Sequence, residues 1–329
     1  MRVKRILSLC CIVLTACARA VSDPPASKTD SRLPTRCPTA TPTATPFAVP
    51  AEAYYERGVE RQRMGDAEDA RQYFTWAIER DPAFAPAYVS RGAISLAEGD
   101  LEGALRDAGA ALAIEPMGKA HVLRAEALQR MERHSEALRA YEEAVAQDPE
   151  LREQTFQSRW LLARALEDVE ELAALGAEYA SVHPGSWRGH YYQAWPTIKS
   201  ERYEEAIRLL VEGLTNSADQ PALLWYLLGR AYLGIEAWQE AIVSLEAARE
   251  LLEADDISLA LHTEQPVADL FVTLGYAYLG AGRCADAEAM LTYGISVGAP
   301  EEEHSAALER ARLCPTPTPV SYATPTPVE

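Results

Sequence analysis

The chain repeats itself with a period of about 34 residues, and that period limits its fold more than anything else in the sequence. Residues 51–84, AEAYYERGVERQRMGDAEDARQYFTWAIERDPAF, align with residues 222–255, ALLWYLLGRAYLGIEAWQEAIVSLEAARELLEAD. Both carry an aromatic at the fourth position, Gly at the eighth, and Ala at the twentieth and twenty-seventh. Along the chain the eighth position reads Gly58, Gly92, Ala125, Ala194, Gly229 and Gly275. The twentieth reads Ala70, Ala104, Ala137, Ala206, Ala241 and Ala287, and the twenty-fourth Phe74, Ala108, Tyr141, Leu210, Leu245 and Leu291. Small residues at two fixed points let two antiparallel helices approach closely, and larger ones beside them fill the remaining space. Gly65, Gly99 and Gly282, near position 15, suit a tight turn between the helices. Pro82, Pro116 and Pro149 stop the second helix of the first three units.

Seven units are read: 51–84, 85–117, 118–151, 152–186, 187–221, 222–255 and 268–301. The fourth is degenerate, with Glu171 and Glu178 where alanines belong, and its bounds come from its neighbours. A single hairpin cannot bury its apolar face alone, so the units must stack. Glu301–Leu313, EEEHSAALERARL, reads as a polar-faced helix that caps the last unit. The fold expected is therefore all-α: a solenoid of about seven helix-turn-helix repeats plus a C-terminal capping helix, over 51–313.

This pattern resembles the tetratricopeptide repeat. The resemblance implies that the first helix of each unit lines a concave face, through positions 2, 5, 9, 12 and 13. Carried over residue by residue, it gives a candidate partner-binding groove of Tyr55, Trp160, Arg164, Tyr191, Trp195, Tyr226, Arg230 and Tyr276, with Lys199 nearer the edge. Aromatics with arginine are the composition of binding hot spots. Trp195, Tyr226 and Arg230 are expected on one strip, matched by an extended ligand that is acidic or aromatic. The partner implied is a protein or peptide. A second reading is a glycan- or envelope-polymer-binding protein, because aromatic faces also stack on sugar rings. The family's carboxylate clamp for chaperone C-termini needs asparagines on first helices, and the single asparagine, Asn216, lies beyond a second helix.

Two irregularities interrupt the period. Residues 256–267 insert between units six and seven, and offer a second candidate binding site around His262. Pro196 falls inside the first helix of unit five, where a missing N–H predicts a kink.

The ends of the chain are built differently. MRVKRILSLCCIVLTAC has a basic start, a short apolar run from Ile6 to Leu14, and then Leu14-Thr15-Ala16-Cys17. That tetrapeptide resembles the bacterial lipobox, which implies cleavage before Cys17 and lipidation of its thiol. Ordinary cleavage after Ala18-Arg19-Ala20 is the alternative. Either route places the solenoid outside the cytoplasm, anchored to the membrane in the first case. Residues 1–16 are then a signal peptide, 17–50 a Thr/Pro-rich disordered linker, and 314–329 a Thr/Pro-rich disordered tail. Alternating Thr-Pro blocks helix and sheet alike and favours extended polyproline II, and such tracts suit O-glycosylation. Once Cys17 is lipidated, Cys37, Cys284 and Cys314 remain. Cys284 opens the second helix of unit seven and Cys314 ends the cap. Two helices of similar length packed antiparallel bring those ends together, so a Cys284–Cys314 disulfide is expected. The rival pairing, Cys37–Cys314, must span the whole solenoid.

The net charge of −18 and the lack of a long basic stretch set nucleic acid aside. No two of the six histidines stand at a metal-ligand spacing, and no phosphate loop or nucleophile elbow occurs. No metal, cofactor or catalytic residue is expected.

Overall fold

The structure, a computed structural model, describes residues 49–314 apart from Ala218. Cys17 and Cys37, the expected signal peptide and linker up to residue 48, and the expected tail beyond Cys314 lie outside the described residues. Seven hairpins follow in order: α1 (Ala51–Met64) with α2 (Ala67–Arg80), α3 (Ala85–Glu98) with α4 (Leu101–Ile114), and α5 (Gly118–Arg130) with α6 (His134–Gln147). Next come α7 (Leu151–Ala165) with α8 (Val169–Val182), α9 (Trp187–Lys199) with α10 (Tyr203–Asn216), α11 (Ala222–Gly234) with α12 (Trp238–Glu253), and α13 (Pro266–Gly280) with α14 (Cys284–Ser296). α15 (Glu301–Leu313) packs on α14 and α13 as the cap, burying Ala307, Leu308 and Ala311. A 3-10 turn, Ser258–Leu261, stands in the insertion, and the described residues contain no strand. α9 runs continuously through Pro196.

Packing follows the small-and-large logic of the period. Ala70, Ala104, Ala137, Ala206, Ala241 and Ala287 have no exposed surface. A Cβ at Gly58, Gly229 or Gly275 would meet Phe74, Leu245 or Leu291 at 2.5–2.7 Å. The eighth position thus faces the twenty-fourth, and glycine is what lets the large residue in. Cys284 and Cys314 stand together at the end of the solenoid, disulfide-bonded with Cα atoms 6.0 Å apart.

Each hairpin turns through one left-handed residue. In units one, two and seven this is Gly65, Gly99 or Gly282, and in units three to six it is Glu132, Glu167, Glu201 or Glu236, with φ between 55 and 60°. The next N–H bonds back five residues, as in Arg133 to Leu128 and Ala237 to Tyr232, which closes the first helix. Left-handed backbone costs a non-glycine residue about 1 kcal/mol or more. Replacing any one of the four glutamates by Gly is expected to raise stability by about 1 kcal/mol, read as a shift in the urea midpoint at constant slope.

The turn residue corrects the register of unit four. Glu167 is the left-handed residue, so the unit begins at 153 rather than 152. In that register Trp160, Leu172 and Tyr179 occupy the three positions that are small elsewhere. Trp160 and Leu172 are buried, and Trp160 and Tyr179 join Phe156, Tyr191 and Tyr192 in one aromatic cluster with centroid separations of 4.6–6.3 Å. Unit four is an aromatic-filled hairpin among alanine-filled ones. Its helices are also joined by a half-buried ion pair: the buried Arg159 donates to both carboxylate oxygens of Glu178, at 2.5 and 3.3 Å.

Candidate functional site

The first helices α9, α11 and α13 supply one wall each of an open trough of about 1380 Å³, and α15 closes its far end. α9 contributes Trp195 and Lys199, α11 Tyr226 and Arg230, α13 Asp269, Thr273 and Tyr276, and the cap His304 and Arg310. The floor is the inserted segment, through His262, Thr263, Glu264 and Gln265.

The insertion reaches the trough for a local reason. α11 begins after Pro221, which has no side chain able to cap its first N–H groups. Asp256 accepts from the Ala222 N–H at 3.1 Å, and the Ser258 hydroxyl accepts from the Leu223 N–H at 3.0 Å. Leu259 follows and has no exposed surface. The next turn lowers His262 between Trp195, Tyr226 and Tyr191, with ring centroids 4.3, 5.9 and 6.0 Å away. The Arg164 guanidinium donates to the His262 carbonyl at 2.9 Å, across 98 residues of sequence. Thr263 bonds the Asp269 carboxylate and holds the far end of the segment.

Cations gather on the same rings. The Arg230 guanidinium lies 5.3 Å from the Trp195 centroid and 5.9 Å from that of Tyr226, and the Lys199 ammonium lies 5.3 Å from Trp195. Arg71, Arg91, Arg124, Arg159 and others of the solenoid pair with carboxylates. Among the described residues no such pair is made by Arg164, Lys199 or Arg230. Burial is the first cause that lowers the His262 imidazole pKa to about 3, and the charges of Arg230, Arg164 and Lys199 add to it. The ring is therefore neutral, and its Nδ1 is buried without a hydrogen-bond partner.

Sequence and structure differ over what is open. Arg164, Trp195, Tyr226, Arg230 and Tyr276 all line the trough, and Trp195, Tyr226 and Arg230 share one strip. Trp160 and Tyr191 do not line it: each is 1% exposed. They are interior residues, and burial pushes the Tyr191 hydroxyl up to about 12. Tyr55 lies in unit one, packed on Phe74 and Phe84 at 5.6 and 5.3 Å, well away in sequence and structure from this trough. Trp195 is itself only 7% exposed, because His262 and the two cations cover it. The repeat pattern missed Asp269, Thr273, His304 and Arg310. The length of the insertion was the one signal that pointed to His262.

A neutral, buried histidine makes stability depend on pH. The folded pKa lies below the ordinary 6.5, so the stabilisation is complete above 6.5 and is lost as pH falls toward 3. Each pH unit in that window removes about 1.4 kcal/mol, so acidifying from pH 6.5 to 5 is expected to cost about 2 kcal/mol. His262→Phe should abolish that component. Denaturant titrations of both proteins across this window check it, and parallel pH curves would contradict it.

Two tetratricopeptide-repeat family models match, over residues 55–120 and 118–151. The C-terminal part of a TPR repeat-containing protein from Cytophaga hutchinsonii is similar in structure, with a TM-score of 0.56 at 11% identity, over 77% of this chain and 99% of that one. The structure of Naa15/Naa10 bound to HypK-THB matches with a TM-score of 0.54 at 12% identity, over 80% of this chain, which spans 39% of that one. A tetratricopeptide repeat protein from Parabacteroides merdae matches 80% of this chain and 98% of its own at 19% identity, with a TM-score of 0.46. The fold is a TPR α-solenoid. Units one to three carry the matched tetratricopeptide repeats, and the same hairpin continues through unit seven.

Proposed function

We propose that the protein is a lipid-anchored, extracytoplasmic scaffold that holds a protein partner in the trough of units five to seven. The observation that carries this reading is the clustering of Arg164, Lys199 and Arg230, without carboxylate partners, around Trp195 and Tyr226 in a strongly acidic protein. Solenoids of this class act through extended concave surfaces. Guanidinium groups laid on rings leave N–H edges for a partner's carboxylates or carbonyls. A partner segment that is extended, and acidic or aromatic, fits. The rings of Trp195 and Tyr226 carry cations rather than bare faces, which favours a carboxylate-bearing protein segment over a glycan. Two polar pairs in the trough, Tyr276 with His304 at 3.0 Å and Thr263 with Asp269, hold the cap and the inserted segment in place, and among the described residues no group of three His, Cys, Asp or Glu side chains could hold a metal ion. We read the protein as non-enzymatic because repeat solenoids serve as binding surfaces rather than active-site scaffolds.

Anchoring rests on Leu14-Thr15-Ala16-Cys17, and among the described residues no helix is long and apolar enough to cross a membrane. The test has two arms. Cys17→Ala should leave the protein unprocessed or release it from membranes, and an unlipidated mature N-terminus at Val21 would contradict this. Trp195→Ala is a poor probe of binding, since it removes a buried ring. Arg230→Gln and Tyr276→Ala alter trough residues that are less buried. Each should weaken a captured partner by about 2 kcal/mol, the usual hot-spot level, with circular dichroism unchanged. Wild-type affinity in both would move the site elsewhere.

A further inference from the structure

The seat of His262 is built as a binding site and is already filled. Three rings from α9 and α11 surround the imidazole, and an arginine from α7 bonds the carbonyl of the same residue. A planar side chain held on three sides, with its own backbone carbonyl held by a guanidinium, is how a groove holds a bound peptide residue. Here the peptide belongs to the chain itself. We propose that residues 256–265 are a ligand held in cis, and that the trough takes in trans a peptide turn whose aromatic side chain replaces His262. This rests on the trough being the interaction site.

Three observations argue that the tip of the segment is displaceable and that its replacement is aromatic. First, the segment is anchored at its ends: Asp256 and Ser258 cap α11, Leu259 is buried, and Thr263 is tied to Asp269. Between those anchors the tip meets the groove mainly through one ring and one carbonyl. Second, the outer side of the segment is apolar and uncovered, with Ile257 82% and Leu261 45% exposed. No packing on that side holds it down. Third, histidine is a poor occupant. Its Nδ1 is buried without a partner, which costs free energy that a phenyl ring in the same seat would not incur. Three cations around a ring that must stay uncharged add to the mismatch. A partner with Phe, Tyr or Trp at this point satisfies the same three rings and leaves the carbonyl for Arg164.

Tethering gives the cis segment a high effective concentration, so a trans peptide must compete with it. Removing the ring in cis therefore raises the apparent affinity for the trans ligand, and improving the ring lowers it. The probe is a labelled synthetic peptide of residues 255–266 (DDISLALHTEQP) carrying the change His262→Phe, titrated by fluorescence anisotropy into three full-length hosts. The His262→Ala host is expected to bind it at least about ten-fold more tightly than wild type, and the His262→Phe host at least about ten-fold more weakly. The same peptide with Ala at that position should not bind the His262→Ala host. Equal affinity in the three hosts, or no binding to a His262→Ala host with wild-type helicity, overturns the proposal. If His262→Ala fails to fold, amide exchange in wild type decides. Saturating peptide should reduce protection at residues 260–263 while α11 stays protected, and unchanged protection at 260–263 refutes it. If Arg230→Gln and Tyr276→Ala weaken a partner while the three hosts bind alike, the interaction site stands and the cis ligand falls.

Discussion

Glu178→Ala is expected to cost about 3–5 kcal/mol, the largest loss of any single change considered for this protein. Arg159 is 4% exposed, and its guanidinium has three acceptor contacts: two to Glu178 and one, at 3.1 Å, to the Arg152 carbonyl. Its Nε is already buried without a partner. Removing the carboxylate strands a charge that has almost no water around it. Arg159→Ala should cost less, because Glu178 keeps 24% side-chain exposure and a second cation, Arg152, at 3.6 Å. Replacing both by Met should cost less than Glu178→Ala alone, since well-packed apolar side chains stand in for a buried pair without leaving a charge behind. Equilibrium urea unfolding of the four proteins checks this. If Glu178→Ala lies within about 1 kcal/mol of wild type, the pair is not what closes unit four.

Reducing the Cys284–Cys314 bridge is expected to cost roughly 3–4 kcal/mol in the chain-entropy account, for a loop closed over a separation of 30 residues. The loss should be local. α15 buries only Ala307, Leu308 and Ala311 against the last hairpin, so without the bridge it is the element most ready to fray. Its loss would expose the faces of α14 and α13 that it packs against, as happens when a solenoid loses its terminal cap. Hydrogen exchange of Cys284→Ser/Cys314→Ser should show α15 and α14 deprotected while α1–α6 are unchanged. Non-reducing peptide mapping that finds Cys284 as a free thiol would remove the bridge from the account.

Seven hairpins and a cap were legible because a helical hairpin needs small residues where its axes cross, and Gly58, Ala70 and their counterparts announce those points. Unit four was legible as a unit but not in register. Trp160, Leu172 and Tyr179 hold its small positions, so the pattern that would have set the register is gone, and only the left-handed turn at Glu167 restores it. The turns at Glu132, Glu167, Glu201 and Glu236 were hidden for a related reason: glutamate carries no local signal for positive φ. The groove was half legible. The repeat fixes which face Trp195, Tyr226 and Arg230 share, because that depends on helical periodicity. It says nothing of what covers the face. Contacts such as Arg164 to His262 join residues 98 apart through a non-repeating segment, and no local pattern encodes them.

Binding of partners in the trough can be read by site-specific photo-crosslinking. A photo-crosslinking amino acid is placed at Tyr276, 37% exposed in the trough, or at Val243, 59% exposed on α12 and outside it. After irradiation of the intact protein in its own membranes, the account predicts a discrete adduct with a second protein from position 276 and none from position 243, and loss of that adduct in the Arg230→Gln background. An adduct from position 243 alone, or one from 276 that survives Arg230→Gln undiminished, would contradict it.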